Sequence, residues 1–220
     1  MNNRTAIFCD FDGTIATRDV GYSIFKHFSG GRTLELLPDW KSGRMTSREI
    51  LRREAEMAPL TEATLIEYLR EFEIDPGFPS FVEKCRKTDI DLKVVSDGVD
   101  LYIRHLLERE NLSHLPLITN HGYIENDHLT IEFPHVNHYC KKCGSCKGER
   151  IQEYRAEHGD DIQVVFVGDG FSDACATTEA DVVFAKKDLE RYCRENDIAF
   201  VRYADFFDVA RELESRGVLA

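Results

Sequence analysis

The stretch "AIFCDFDGTIATRD", residues 6–19, decides the fold. An apolar run ends at Asp10, a second acid follows at Asp12, and Gly13-Thr14 interrupts the pattern. A short, continuous apolar run of this kind reads as a strand buried on both faces, as in a parallel sheet covered by helices. Two carboxylates held close repel, and each raises the other's pKa. Residues i and i+2 of a strand face the same side, so both acids are predicted to project into one crevice. A divalent cation would cancel the repulsion, and Mg²⁺ prefers hard oxygen ligands.

Two further runs have the same form, "DLKVVSD" (91–97) and "IQVVFVGD" (162–169). "PLIT", "ADVVFA" and "IAFV" are additional strand candidates. Helical patterns lie between them: "FPSFVEKCRKT", "VDLYIRHLLERE", "KGERIQEYRAEH" and "SDACATTEA". Alternating strands and helices predict a doubly wound α/β sheet, which binds ligands at the carboxyl ends of its strands. Asp10, Ser96 and Asp169 fall at such ends. "NHGYIENDHLTIEF" (120–133), with Asn-Asp at its centre, predicts a β-hairpin.

Residues 16–75 break this alternation. "VGYSIFKHFSG", "RTLELLPDWKSG", "TSREILRREAEMAP" and "TEATLIEYLREFE" each read as a helix, with Thr46 and Thr61 as helix starts. The expected organisation is a core of residues 1–15 and 76–220, with an all-helical insertion over 16–75 above the sheet edge.

The 220 residues carry 28 basic and 40 acidic side chains, a net charge of −12. Such a surface repels nucleic acid and anionic lipid, so neither is an expected partner. The start "MNNRTAIFCD" shows no leader, and no stretch approaches the roughly 20 apolar residues of a membrane span. Seven cysteines without such a leader fit a reducing cytoplasm.

"VGDGFSDA" adds Asp169 at a strand end and Asp173 at a helix start. Four acids from two strand ends can supply a nucleophile, a proton-transfer group and metal ligands. Ser96 in "VVSDG" and Lys147 at a helix start could hold phosphate oxygens, one as donor and one as charge.

In this order, "DFDGT", a strand-end Ser, a Lys and "GDGFSD" resemble the four motifs of haloacid dehalogenase superfamily phosphatases. The resemblance implies a Rossmann-like core with a small helical cap, as in phosphoserine phosphatase, acting on a small phosphorylated metabolite. It implies that Asp10 is the nucleophile and Asp12 the acid and then base. Asp10, the Asp12 carbonyl and Asp169 would hold Mg²⁺, with Asp173 in support, and Ser96 and Lys147 would hold the phosphoryl group. Asp97, where a second Gly is common, and Gly98 belong to the phosphate loop. A narrower resemblance is to the subgroup containing the methionine-salvage phosphatases. Phosphoserine-, pyridoxal- and phosphocholine-type phosphatases are alternatives, as is a non-catalytic phosphate-binding module. Asp19 either meets a polar part of the substrate or caps a helix. Glu54 aligns with an arginine that binds carboxylate in phosphoserine phosphatase, and Arg52 or Arg53 could serve instead.

"HVNHYCKKCGSCKG" (135–148) places Cys140, Cys143 and Cys146 near His138. Three thiolates and one imidazole could bind zinc. The alternative is a metal-free loop that shapes the site around Lys147. Cys9, Cys85, Cys175 and Cys193 read as core or boundary residues.

Overall fold

Alternate side chains of the first strand enter two different cores, and this arrangement sets the architecture. In a computed structural model describing residues 4–220, Ile7 and Cys9 pack into one apolar cluster and Ala6 and Phe8 into the other. Residues 1–3, in the stretch expected to carry no leader, lie outside the described residues. Strand β1 (Thr5–Cys9) leads through a tight loop into α1 (Val20–Phe28), a 3-10 turn at Arg32–Leu36, α2 (Leu37–Lys41), α3 (Ser47–Met57) and α4 (Glu62–Leu69). The chain continues as α5 (Phe78–Lys87), β2 (Asp91–Val99), α6 (Asp100–Arg109), β3 (Leu117–Glu125), β4 (His128–Glu132), α7 (Lys147–His158) and β5 (Gln163–Gly168). It ends with α8 (Ala174–Thr177), β6 (Val182–Ala185), α9 (Lys187–Glu195), β7 (Val201–Arg202) and α10 (Phe206–Ser215).

The seven strands form one sheet in the order β4-β3-β2-β1-β5-β6-β7. All neighbours pair in parallel except β3 with β4. That pair is the expected hairpin, and its turn residues Asn126 and Asp127 take φ of 51° and 59°, as a two-residue turn matched to strand twist requires. From β1 the chain builds outward to β2 on one side and later to β5 on the other. The topological switch point therefore lies between β1 and β5, where such sheets place their ligands. Residues of α5, α6 and α10 join the cluster on one face of the sheet, and those of α7 and α9 join the other.

Residues 16–75 contribute no strand to this sheet among the described residues. Thr46 and Thr61 cap α3 and α4, each in a reciprocal capping box. "RTLELLPDWKSG" is not the single helix its pattern predicts. It splits at Leu36–Leu37, because Pro38 has no N–H to donate and suits only the first turn of a new helix. Ala16 and Ile74 pair in an antiparallel bridge where this segment leaves and rejoins the core. A second bridge joins Pro59 to His128 of the hairpin. No described helix is long and apolar enough to cross a membrane.

Candidate active site

The backbone turns away from the sheet immediately after β1. The Asp10 N–H donates to the Val167 carbonyl of β5 at 2.9 Å, and Gly13 reverses the chain at φ 73°. A Cβ on Gly13 would lie 2.3 Å from Asp169 Oδ2, so both conformation and space require glycine there. Asp10 and Asp12 face one cavity, as expected, but by a different cause: the strand ends at Cys9, and the turn, not the pleat, brings them together.

The cavity holds about 380 Å³, and Asp10, Asp12, Asp19, Ser96, Asp97, Gly98, Lys147 and Asp169 all line it. Asp173 is fully buried, and its Oδ2 accepts from the N–H groups of Asp169 and Gly170 at 2.9 Å each. Asp10, Asp169 and Asp173 can each bring an oxygen within 4.8 Å of the others. Three hard anionic donors at that spacing suit a divalent cation such as Mg²⁺.

Lys147, the first residue of α7, is buried with these acids. Its Nζ donates to Asp10 Oδ1 at 2.5 Å and also to Asp173 Oδ1. Burial opposes its charge, but Asp10 and Asp173 outweigh burial and keep the ammonium protonated above its ordinary range. Burial pushes the Asp10 carboxyl well up, the Asp173 charge adds to this, and Lys147 opposes it. Asp169 is raised by burial and by Asp173, with Lys187 pulling the other way.

Asp12 stands apart from the three-acid cluster. Its Oδ1 accepts from the N–H groups of Val20 and Gly21 at 2.9 and 3.1 Å, at the start of α1. Its Oδ2 accepts from the Tyr102 hydroxyl at 2.8 Å and from Ser96 Oγ at 3.4 Å. Burial raises its pKa against these donors. The Gly98 N–H donates to Ser96 Oγ at 2.9 Å. A Cβ on Gly98 would sit 1.9 Å from the Tyr102 hydroxyl, so glycine keeps this corner open.

Asp97 is tied into the fold: its Oδ1 accepts from the Ser145 N–H at 2.8 Å, joining β2 to the cysteine loop. Asp19 lines the cavity and also caps α1, accepting from the Tyr22 N–H at 2.8 Å. Enclosure within the cleft, aided by the Asp12 charge, pushes its carboxyl up to about 7. Glu54 is buried in the cavity wall, and burial together with the Asp19 charge raises it to about 8. Arg52 is directed away, over the Phe133 ring at 5.0 Å. Among the described residues no arginine lines the cavity.

His138 does not join the cysteines. Its backbone N–H and those of Tyr139 and Cys140 are gathered by the Glu149 carboxylate, and the thiol that meets Cys140, Cys143 and Cys146 is Cys175. Sequence reading also missed Tyr102 and Lys187. The Lys187 Nζ donates to the Gly13 carbonyl at 3.0 Å and to Asp169 Oδ2 at 2.9 Å. Its position just after β6, at the same sheet edge as Asp10 and Asp169, was the available signal.

The fold is one shared with haloacid dehalogenase-type enzymes. A phosphoserine phosphatase solved as a phospho-aspartyl intermediate analogue superposes with a TM-score of 0.70 at 15% identity, covering 98% of this chain and 99% of its own. A haloacid dehalogenase family hydrolase from Salmonella enterica serovar Typhi gives 0.72 at 18% identity, over 93% of this chain and 70% of its own. The chain belongs to the family described as Putative Phosphatase, whose model matches residues 5–202, and is a phosphatase. Among its relatives, a 2-hydroxy-3-keto-5-methylthiopentenyl-1-phosphate phosphatase of Bacillus pumilus is 30% identical over 216 residues, spanning 94% of this chain and 90% of its own.

Proposed function

We propose that the protein hydrolyses a small phosphate monoester through an aspartyl-phosphate on Asp10, beneath a helical cap formed by residues 16–75. The observation that carries the reading is Lys147, which joins Asp10 to buried Asp173 at a cavity also lined by Asp12, Ser96 and Gly98. Lys147 holds Asp10 Oδ1, leaving the other oxygen to attack phosphorus. As the ester P–O bond breaks, Asp12 donates its proton to the leaving alcohol. The raised pKa of Asp12 suits that role. Water then attacks the aspartyl-phosphate and gives its proton to the Asp12 carboxylate, and the phosphorus–Asp10 bond breaks to release phosphate. Ser96 and Lys147 would bind the phosphoryl oxygens. Asp10, Asp169 and the Asp12 carbonyl, supported by Asp173, would hold Mg²⁺, which when bound supplies positive charge to the phosphoryl group.

The cap side of the cavity presents Phe25, Leu37, Trp40, Ile50 and Leu51 together with Asp19 and Glu54. An ester bearing a carboxylate, such as phosphoserine, would face two acids there and no arginine, with exposed Lys41 as the cap cation on the lining. A phosphate ester whose alcohol part is uncharged, with an apolar tail and a ketone, suits the walls better: protonated Glu54 can donate to the ketone, and the apolar side chains can cover the tail. This supports the methionine-salvage enol phosphate as substrate. The same two carboxyls favour, as a second reading, an amine-bearing ester that would ionise both.

The test is p-nitrophenyl phosphate hydrolysis with Mg²⁺, expected to be abolished by Asp10→Asn, followed by a panel of the methionine-salvage ester, phosphoserine and phosphocholine. Absence of turnover on every ester would refute the enzymatic reading. Preference for phosphoserine would refute the reading of the cap.

A further inference from the structure

Four thiols converge beside the active site. The sulfurs of Cys140, Cys143, Cys146 and Cys175 lie within 4.8 Å of one another. Zinc–thiolate bonds of about 2.3 Å put the corners of a tetrahedron about 3.8 Å apart, so the group needs only a slight contraction to close on an ion. Cys143 and Cys146 are buried, and Cys140 and Cys175 are half-buried.

The surrounding loop holds the sulfurs in this arrangement. Asn137 spans the loop, donating to the Cys143 carbonyl at 2.8 Å and accepting from the Cys146 N–H at 3.1 Å. The fourth thiol comes from α8, which approaches α7 so closely that a Cβ on Gly148 would lie 2.3 Å from the Cys175 carbonyl oxygen.

We propose that Cys140, Cys143, Cys146 and Cys175 bind one structural Zn²⁺ as a tetrathiolate. Four soft donors fill a tetrahedral shell and leave no open position, which marks a structural rather than a catalytic ion. Binding releases the protons of the thiols that were protonated. The ion pins together two segments that matter to the site, since Cys146 directly precedes Lys147 and Cys175 lies two residues after Asp173. The same loop touches the helical insertion, where the Ser47 N–H donates to the Lys142 carbonyl at 2.7 Å and Arg48 donates to the Gly144 carbonyl at 3.1 Å. Zinc thus acts as a positioning element for Lys147, and its presence does not depend on which ester is hydrolysed.

The test is metal analysis of the full chain expressed with zinc supplied. One zinc per chain is expected, lost in C143S and C175S and retained in C193S, which alters a buried cysteine outside the cluster. Replacing zinc with cobalt(II) in the unaltered chain should give the thiolate-to-cobalt charge-transfer and strong ligand-field absorption of a tetrahedral sulfur site, a readout that needs no variant to fold. Protein that takes up neither zinc nor cobalt overturns the proposal. So do full zinc retention by C175S, a disulfide among the four cysteines in the purified protein, and iron with acid-labile sulfide in place of zinc.

Discussion

The Tyr102 hydroxyl donates to Asp12 Oδ2 at 2.8 Å while the N–H groups at the start of α1 hold the other oxygen. Both carboxylate oxygens of the proposed proton donor are therefore aimed from two directions, one in the core and one in the helical insertion. Tyr102→Phe removes a hydrogen bond to a charged group without changing the packing of the ring. Such a bond is worth about 1.5 kcal/mol, so kcat should fall roughly tenfold. KM should stay nearly constant, because Tyr102 positions Asp12 and does not bind phosphate. Steady-state kinetics on p-nitrophenyl phosphate would check this, and a changed KM with unchanged kcat would contradict it.

Lys147 neutralises Asp10 and Asp173, and all three side chains are buried. Lys147→Met leaves two buried acids facing each other. Removing one partner of a buried ionic group costs about 3 kcal/mol, so the variant should unfold at a lower temperature in metal-free buffer. Mg²⁺ should then raise the melting temperature of the variant more than that of the unaltered chain, because a cation replaces the missing charge. Thermal unfolding with and without Mg²⁺ would measure both effects, and equal Mg²⁺ shifts would argue against a cation site at these acids.

Glu54 links stability to pH. Its carboxyl is raised from 4.5 to about 8 in the folded protein by burial and the Asp19 charge. The folded state therefore holds a proton that the unfolded state releases above about pH 4.5. The stability from this group is present at low pH and is lost as pH rises toward 8. Glu54→Gln keeps a neutral side chain at every pH, so at pH 9 it should be more stable than the unaltered chain, by about 1–3 kcal/mol. Near pH 5 the two should be close. Urea unfolding at both pH values would test the sign, and a variant less stable at pH 9 would reverse the assignment.

Local chemistry made much of this legible in sequence. The apolar runs ending at Asp10 and Asp169, the capping threonines and the Asn126-Asp127 turn each act through near neighbours, and each reads directly from the chain. Lys147 was readable because it opens a helix with a clear pattern. Tyr102, Lys187 and Cys175 were not, because each acquires its partner only when distant segments meet. Cys175 sits among small apolar residues in "SDACATTEA" and gives no local sign of three thiols nearby. Helix α10 was missed for a related reason. Phe206 closes the core against Phe78 and Phe81, with ring centroids 4.7 and 5.2 Å away, but those partners lie far earlier in the chain.

The Ala16–Ile74 bridge sets the two ends of the helical insertion side by side on the core. A segment that departs and returns at one point can be lengthened, shortened or exchanged for another without altering the register of any strand. The groups proposed to break the ester sit chiefly outside that span, while Asp19, Trp40 and Glu54 sit within it. A lineage could therefore acquire a new preferred ester by rewriting one contiguous stretch of sequence, and chimaeras joined at residues 16 and 74 offer a way to do so deliberately.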